Sequence, residues 1–327
     1  MGLAFALRFD LRNPALAGTA MADRYEAALE MAEWADRVGA VSIVLSEHHG
    51  SPDGYLPSPI PMAAAMAART TNVRFNIAAL IAPFYEPVRL AEDLLVLDQL
   101  SRGRVDLVLA GGYVRQEFEH FGIPSNERGA RLTEVVEVLR AAFAGEPFEH
   151  GGRTVHLTPG PYREGGLPIT LGGSSAPAAR RAARIADAFI PSMPEVWDDY
   201  RAEVIALGRP DPGPAGFSLE TRTVAVASEP DAGWRAMAPF FRHEMEAYGA
   251  WQAQEGIASP YRPVDDDEEL RTSGRYGVLT PDAFIDELRG LPFPFTILHP
   301  LCGGMPIDLA WQSLRLFEAE VLPAFSD

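Results

Sequence analysis

Residues 41–50 read VSIVLSEHHG, and this stretch decides the fold. Its first half, Val41 to Leu45, is a short, uninterrupted apolar run, which is typical of a strand buried on both faces in a parallel sheet. Its second half, Ser46 to Gly50, turns polar at once. In parallel α/β folds the functional groups lie just beyond the carboxyl ends of the strands. The stretch therefore predicts a buried parallel strand with chemistry at its end.

The same alternation extends in both directions along the chain. Helical spacing of apolar residues follows each predicted strand, as in Ala28, Met31, Ala32 and Ala35. We predict strands over 3–9, 41–45, 73–82, 104–110, 168–172, 187–190, 217–227 and 293–299. We predict helices over 21–38, 57–70, 86–101, 128–144, 176–187, 194–207, 230–249, 281–289 and 306–322. Eight strand–helix units favour an α/β fold of the closed (β/α)₈ TIM-barrel type over an open doubly wound sheet.

No linker rich in Ser and Gly divides the 327 residues, so we interpret 1–327 as one domain. Two insertions interrupt the alternation. Residues 146–163, after strand four, predict a small hairpin around Gly151-Gly152. Residues 250–279, after strand seven, are irregular and predict a lid that carries substrate specificity. The aromatic residues of this region either line the pocket or fill the lid's own small core: Tyr248, Trp251, Tyr261 and Tyr276.

Composition excludes several functions. The net charge is −17, and all 28 basic residues are Arg, so lysine-dependent Schiff-base, pyridoxal phosphate and Walker-A chemistry is excluded. The acidic balance argues against nucleic-acid binding. Cys302 is the only cysteine, so it forms neither an internal disulfide nor a multi-cysteine metal site. No run is long and apolar enough to span a membrane, and the first residues lack a signal-peptide pattern, which predicts a cytoplasmic protein.

His48 and His49 directly follow a buried strand. A histidine at such a position can exchange protons near neutral pH. Because adjacent residues of a strand point to opposite faces, one histidine is expected at the barrel mouth and the other away from it. The alternative is a pair of structural histidines. A zinc site is disfavoured, because the sequence has no His-Glu-x-x-His motif.

Two glycine-rich turns also follow predicted strands. Gly172-Gly173-Ser174-Ser175 opens a helix, where free N–H groups attract anions and glycines admit a phosphate. The alternative is a plain helix cap made by serine. Gly111-Gly112-Tyr113 is either a second close-approach loop or a tight turn. Cys302, near the expected mouth, lacks a supporting base in the sequence and is not expected to be a nucleophile.

Several motifs, in this order, resemble the bacterial luciferase-like flavin monooxygenases. The similarity is clear over about residues 1–205 and weaker beyond. It rests on SEHH at 46–49, RTTNVR at 69–74, EPVRLAE at 86–92, LDQLSRGR at 97–104, GYVRQEFEHFG at 112–122 and the Gly-Gly-Ser-Ser turn. The pattern is shared by enzymes that use FMN and by enzymes that use coenzyme F420.

The resemblance implies roles for particular residues. It implies a TIM barrel, a homodimer and a flavin across the barrel mouth. His48 is implied to be catalytic, Ala78-Ala79 to form a cis peptide beneath the flavin, and Ser174 and Ser175 to bind its phosphate. The remaining implied cofactor contacts are Glu47, Gly111, Gly112, Tyr113, Gly172 and Gly173. In luciferase an Arg corresponds to Gly111, so a different cation, such as Arg115 or Arg180, would have to pair with the phosphate.

Three functions remain open. The first is a two-component monooxygenase that receives reduced FMN from a separate flavin reductase and oxygenates an organic substrate. The second is an F420-dependent oxidoreductase that exchanges hydride with a small organic substrate. The third is a non-catalytic flavin-binding accessory subunit, against which the intact motifs at 47–49 and 172–175 argue.

Overall fold

A computed structural model describes residues 2–215, 222–257 and 260–326. Its strands are β1 (Ala4–Phe9), β2 (Ser42–Leu45), β3 (Arg74–Ile81), β4 (Val105–Ala110), β5 (Phe148–His150), β6 (Arg153–Val155), β7 (Ile169–Gly173), β8 (Ala188–Pro191), β9 (Thr223–Val226), β10 (Tyr276–Leu279) and β11 (Phe295–Leu298).

Its α-helices are α1 (Met21–Arg37), α2 (Pro59–Arg69), α3 (Pro87–Ser101), α4 (Arg115–Phe121), α5 (Arg128–Phe143), α6 (Ala176–Ile185), α7 (Val196–Ala206), α8 (Pro230–Gln254), α9 (Asp267–Thr272), α10 (Pro281–Arg289) and α11 (Ile307–Leu316). Short helical turns lie at Ala15–Ala17, Ala82–Phe84, Ser125–Glu127, Cys302–Gly304, Phe317–Val321 and Leu322–Phe325.

Seven parallel strands form one curled sheet in the order β11-β1-β2-β3-β4-β7-β8. Helices connect β1 through β4 in succession, as expected for parallel strands joined by crossovers. Strands β9 and β10 pair in parallel as a separate two-stranded sheet. The parallel α/β fold is therefore confirmed, and within the described residues the main hydrogen-bonded sheet contains seven strands.

The two faces of the sheet differ in packing. On β1 the side chain of Phe5 contacts the rings of Trp34 in α1 and Phe317, so Phe5, Leu7 and Phe9 face the helices. The alternate residues must then face the inside of the curl. There the side chains are mostly small or polar and only half-buried, unlike the bulky layers that fill many TIM barrels; examples are Ser42, Val44, Asn76, Ala78 and Thr170.

The hairpin expected in 146–163 is present. Strands β5 and β6 pair antiparallel, with His150 opposite Arg153. The two-residue turn between them consists of Gly151 and Gly152, both with positive φ, as a type I′ turn requires.

The expectation for residues 250–279 needs correction. Helix α8 continues to Gln254, because Tyr248 and Trp251 keep an apolar face packed against the sheet end. The acidic residues Asp265 to Glu269 lie at the start of α9, where the Asp266 carboxylate accepts from two backbone N–H groups. Strand β10 closes the segment. Residues 258–259 of the predicted lid and 217–221 of the predicted seventh strand lie outside the described residues.

Candidate active site

His48 is held by Glu117. The carboxylate oxygen Oε1 of Glu117 lies 2.7 Å from Nδ1 of His48 and accepts from the backbone N–H of His49 at 2.9 Å. Both side chains are buried. Because a carboxylate only accepts, the Nδ1 position of His48 carries the shared proton and Nε2 is directed elsewhere. The pair is a histidine oriented by a carboxylate.

Glu117 was not singled out from the sequence. It lies in α4, a seven-residue helix that was not predicted, because residues 115–121 show no extended helical periodicity. A signal existed nevertheless: Glu117 belongs to the 112–122 motif that follows β4, one of the strands whose ends meet at the mouth.

Glu47 is held by groups of the protein next to the two histidines, and its expected role as a cofactor contact stays a prediction. Its side chain is buried, and its oxygens accept from the backbone N–H of Ile81, the Tyr85 hydroxyl and, at 2.7 Å, His49. Three of the four acceptor positions of this carboxylate are thus used by the protein. His49 itself packs between Phe84 and Phe121. The two histidines thus occupy different environments, as the strand geometry predicts.

Aromatic rings surround His48. Trp251 lies with its ring centroid 4.3 Å from that of the imidazole, and Tyr55 contacts the ring edge-on at 4.9 Å. Tyr113 and Tyr248 complete the set at 5.7 and 6.1 Å. Burial raises the pKa of Tyr55 to about 12, so its hydroxyl remains a proton donor at neutral pH. The Tyr55 and Tyr248 hydroxyls hydrogen-bond each other at 2.8 Å.

Arg12 joins helix α8 to the loops beneath it. Its guanidinium carbon lies 4.7 to 4.8 Å from the ring centroids of Tyr55, Tyr248 and Trp251. It also pairs with Asp53, whose carboxylate lies 2.8 Å from Nε2 of His243 in α8. Burial alone would raise the pKa of Asp53, but the hydrogen bond from His243 and the charge of Arg12 lower it. This arrangement fixes Tyr248 and Trp251 against His48.

A second buried ionic cluster lies beneath the aromatic rings. Glu244 accepts from the Tyr276 hydroxyl at 2.8 Å and from the Cys302 thiol at 3.2 Å. Nδ1 of His299 and Nη2 of Arg8 each lie 3.3 Å from Oε1 of Glu244. Glu244, His299 and Cys302 could supply metal ligands, but the neighbouring guanidinium already balances the carboxylate charge. Burial raises the pKa of Cys302, which disfavours the nucleophilic thiolate.

The aromatic residues of the predicted lid therefore divide between two roles. Tyr248 and Trp251 contact His48, as a pocket wall requires. Tyr276 instead stacks on Phe241 in the core, and Tyr261 packs against Tyr248.

The backbone beside His48 carries small residues. The peptide bond between Ala78 and Ala79 is cis, as the resemblance implies. Gly112 has a φ of +72°, and a Cβ there would lie 2.8 Å from the Ile81 side chain. Gly111 has open space where a Cβ would be, and Tyr113 follows with its ring toward His48.

The Gly172 to Ser175 turn opens α6. A Cβ on Gly173 would lie 2.6 Å from the Cβ of Ala178, so this glycine lets the helix approach the strand end closely. Ser174 and Ser175 are exposed. Ser175 occupies the cap position of α6, yet its hydroxyl makes no capping hydrogen bond. The two hydroxyls and the N–H groups of the first turn of α6, except at Pro177, which has none, thus remain available to an anion.

Neither expected partner cation is free. Arg180 donates to Asp199 at 2.8 Å, and Arg115 lies 3.8 Å from Glu255. A phosphate at the α6 turn would therefore rely on N–H and hydroxyl donors.

Comparison with known proteins agrees with this geometry. The sequence profile of the luciferase-like monooxygenase family matches residues 4–288, so the chain belongs to that family and is an oxidoreductase. The oxygenase component of a flavin-dependent trigonelline monooxygenase from Acinetobacter baylyi is 32% identical, with 93% of this chain and 90% of that protein covered.

Two solved structures share the fold. The oxygenating constituent of 3,6-diketocamphane monooxygenase from Pseudomonas putida, solved with FMN, superimposes with a TM-score of 0.72, 21% identity and 99% coverage of both chains. An F420-dependent secondary alcohol dehydrogenase, solved with an F420-acetone adduct, gives a TM-score of 0.69, 17% identity and full coverage of both chains. Among the described helices, none has the length and apolar character that crossing a membrane requires.

Proposed function

We propose that this chain is the oxygenase component of a two-component monooxygenase, which takes reduced FMN from a separate flavin reductase and oxygenates an organic substrate. The observation that carries the proposal is the buried His48–Glu117 pair, enclosed by aromatic rings at the mouth of the sheet. The similarity to a relative named as a flavin-dependent oxygenase component supports FMN and a partner reductase.

The residues at the mouth fit such a cofactor. Ala78 and Ala79 offer a flat, small-residue seat, and Gly111 leaves open space beside it. Gly172, Gly173, Ser174 and Ser175 would hold the phosphate through the uncommitted donors at the start of α6. A reduced flavin bound there would supply the electrons that activate oxygen. We infer that β9, which lies near β11, completes a (β/α)₈ barrel around this mouth, with 146–163 and 250–279 as insertions.

The protein's own contribution is proton transfer and exclusion of water. Glu117 fixes the imidazole of His48, so that Nε2 can donate to or accept from the reacting oxygen. The rings of Trp251, Tyr55 and Tyr113 shield that nitrogen from bulk water, which strengthens electrostatic interactions in the site.

The family resemblance implies a dimer of two identical chains, so we also propose a homodimer.

The alternative is an F420-dependent oxidoreductase. The fold shared with the F420-dependent alcohol dehydrogenase supports it, and His48 would then exchange the proton of a substrate alcohol. The two functions differ in their need for oxygen.

The test is turnover with reduced FMN supplied by an unrelated flavin reductase and NADH. A panel of organic substrates is analysed by mass spectrometry for products that have gained one oxygen atom. We expect oxygenated product from the wild type and a loss of about 10²- to 10⁴-fold in His48→Ala, the range for a removed acid–base group. Product formation without oxygen, with F420 as the electron carrier, would favour the alternative.

A further inference from the structure

Arg8 lies inside the curl of the sheet. Leu7 and Phe9 face the helices, so the intervening Arg8 faces inward. Backbone register places Arg8 beside Val44, and Val44 beside Asn76, so these three residues form one inward layer across β1, β2 and β3. This layer lies just below Ala78, the seat of the proposed cofactor site.

The guanidinium of Arg8 is only partly used by the protein. Nη2 donates to the Tyr248 hydroxyl at 2.9 Å and lies 3.3 Å from Glu244. Nε and Nη1 make no hydrogen bond to the described part of the chain. The side chain is half-buried, with 24% of its surface accessible. A guanidinium has five N–H donors in a planar fork, which matches a carboxylate.

Glu244 has partners besides Arg8. It already accepts from Tyr276 and Cys302 and lies beside His299. Burial alone would lower the pKa of His299, but the charges of Asp10 and Glu244 raise it. Only Nη2 of Arg8 is engaged by Glu244 and Tyr248, so the Nε and Nη1 donors of its guanidinium are available to a second anion.

The same layer contains another uncommitted polar group. The side-chain oxygen of Asn76 is buried and accepts no hydrogen bond from any residue within 2–215, 222–257 or 260–326. Buried polar groups are normally paired, so the layer is built to meet a polar ligand. Val44 and Thr170 nearby are half-buried, which leaves the interior reachable.

We propose that Arg8 determines substrate specificity by binding the carboxylate of an organic acid, whose apolar or aromatic body lies against Tyr248 and Trp251 beside His48. This inference rests on the proposed function. The hydrogen bonds from Arg8 to Tyr248 and from Tyr248 to Tyr55 connect the anion site to the rings around His48. The chain carries a net charge of −17, which repels anions. Binding of an anionic substrate therefore requires a positively charged side chain at the binding site.

The test compares two probes of the same shape, benzoate and benzamide, by isothermal titration calorimetry on the wild type, with and without saturating FMN. We expect benzoate to bind at least about tenfold more tightly, as for a hydrogen-bonded charge. Arg8→Gln should abolish the preference, and Arg8→Lys should retain part of it. Arg89→Gln, a change at an exposed arginine of α3, should leave it intact.

The outcomes separate this inference from the proposed function. Equal binding of benzoate and benzamide by the wild type would overturn the role of Arg8, even if FMN binds tightly. A preference for benzoate that persists in Arg8→Gln would also overturn it. So would an Arg8→Gln variant that loses affinity for FMN but keeps the preference for benzoate. A benzoate preference in a protein that binds no FMN would support the anion site and contradict the proposed monooxygenase. If Arg8→Gln does not fold, the wild-type comparison and Arg8→Lys decide.

Discussion

Oε1 of Glu117 lies 2.7 Å from Nδ1 of His48, and the two residues come from segments that follow two different strands of the same sheet. The contact joins the end of β2 to helix α4 after β4. It fixes both the tautomer and the direction of the imidazole, which are the properties an acid–base group needs.

Replacement of Glu117 by Gln should slow turnover without weakening cofactor binding. The amide keeps the size of the side chain but loses the negative charge that orients His48. We expect kcat to fall by about ten- to a hundredfold, within the range of acid–base contributions. FMN affinity, measured by fluorescence titration, should change little. The matched control is Glu119→Gln, an exposed residue of the same helix. Equal kcat values for the two variants would contradict the role of Glu117.

We predict that Ser174 and Ser175, just before α6, increase the affinity for FMN, which carries a phosphate, but not the affinity for riboflavin, which does not. Ser174→Ala and Ser175→Ala each remove one uncommitted hydroxyl, so FMN affinity should fall by about three- to tenfold per change, as for a lost hydrogen bond. Riboflavin, which lacks the phosphate, should bind all variants alike. Ser125→Ala, at an exposed site outside the proposed cofactor pocket, is the control. If FMN and riboflavin affinities fell together, the serines would serve only the fold.

Gly173 should be intolerant of a methyl group. In Gly173→Ala the new Cβ would lie 2.6 Å from the Ala178 Cβ, so α6 must move away from the sheet. We expect a loss of about 1–3 kcal/mol in the free energy of unfolding by urea, as for overpacking. In Gly172→Ala the nearest atom is 3.5 Å away, an ordinary contact, and stability should be retained. Equal stability of the two variants would argue against close helix–strand packing here.

His299 should make a pH-dependent contribution to stability. Its pKa is raised above the ordinary 6.5, with the opposing effect of burial outweighed by Asp10 and Glu244. A basic group whose pKa is raised by folding stabilises the folded state. This stabilisation is complete at pH values below the pKa of the group in the unfolded chain, and it is lost as the pH rises through the pKa of the group in the folded protein. His299→Gln should therefore cost most at about pH 5 to 6, on the order of 3–5 kcal/mol, and less at alkaline pH.

The measurement is urea unfolding of wild type and His299→Gln between about pH 5 and pH 9. The matched control is His120→Gln, at an exposed histidine of α4. A destabilisation by His299→Gln that is the same at every pH would contradict an imidazolium between two carboxylates.

Much of the fold follows from local patterns. The buried run at 41–45 and the helical spacing in α1 are independent of the rest of the chain, and both elements are confirmed within a residue or two. Strand β10 was missed because Tyr276–Leu279 is only four residues long and is stabilised by pairing with β9, a contact between distant parts of the chain. Pairing of this kind leaves no local signature.

The site likewise contains residues that the sequence predicts and residues that it does not predict. His48 and the Gly172–Ser175 turn follow strands directly, so their position at the mouth could be predicted. Arg12, Asp53 and His243 could not, because their pairing joins three loops and helices far apart in sequence. Charged residues alternate with apolar ones at Arg8, Asp10 and Arg12. This alternation is the sequence pattern that indicates a polar inward face at the end of β1.

The affinity of the purified wild-type protein for reduced FMN, measured by anaerobic fluorescence titration beside F420, tests the central claim most directly. The proposed oxygenase should bind reduced FMN at micromolar or lower concentration and more tightly than F420. Selective binding of F420, or binding of neither cofactor, would contradict it.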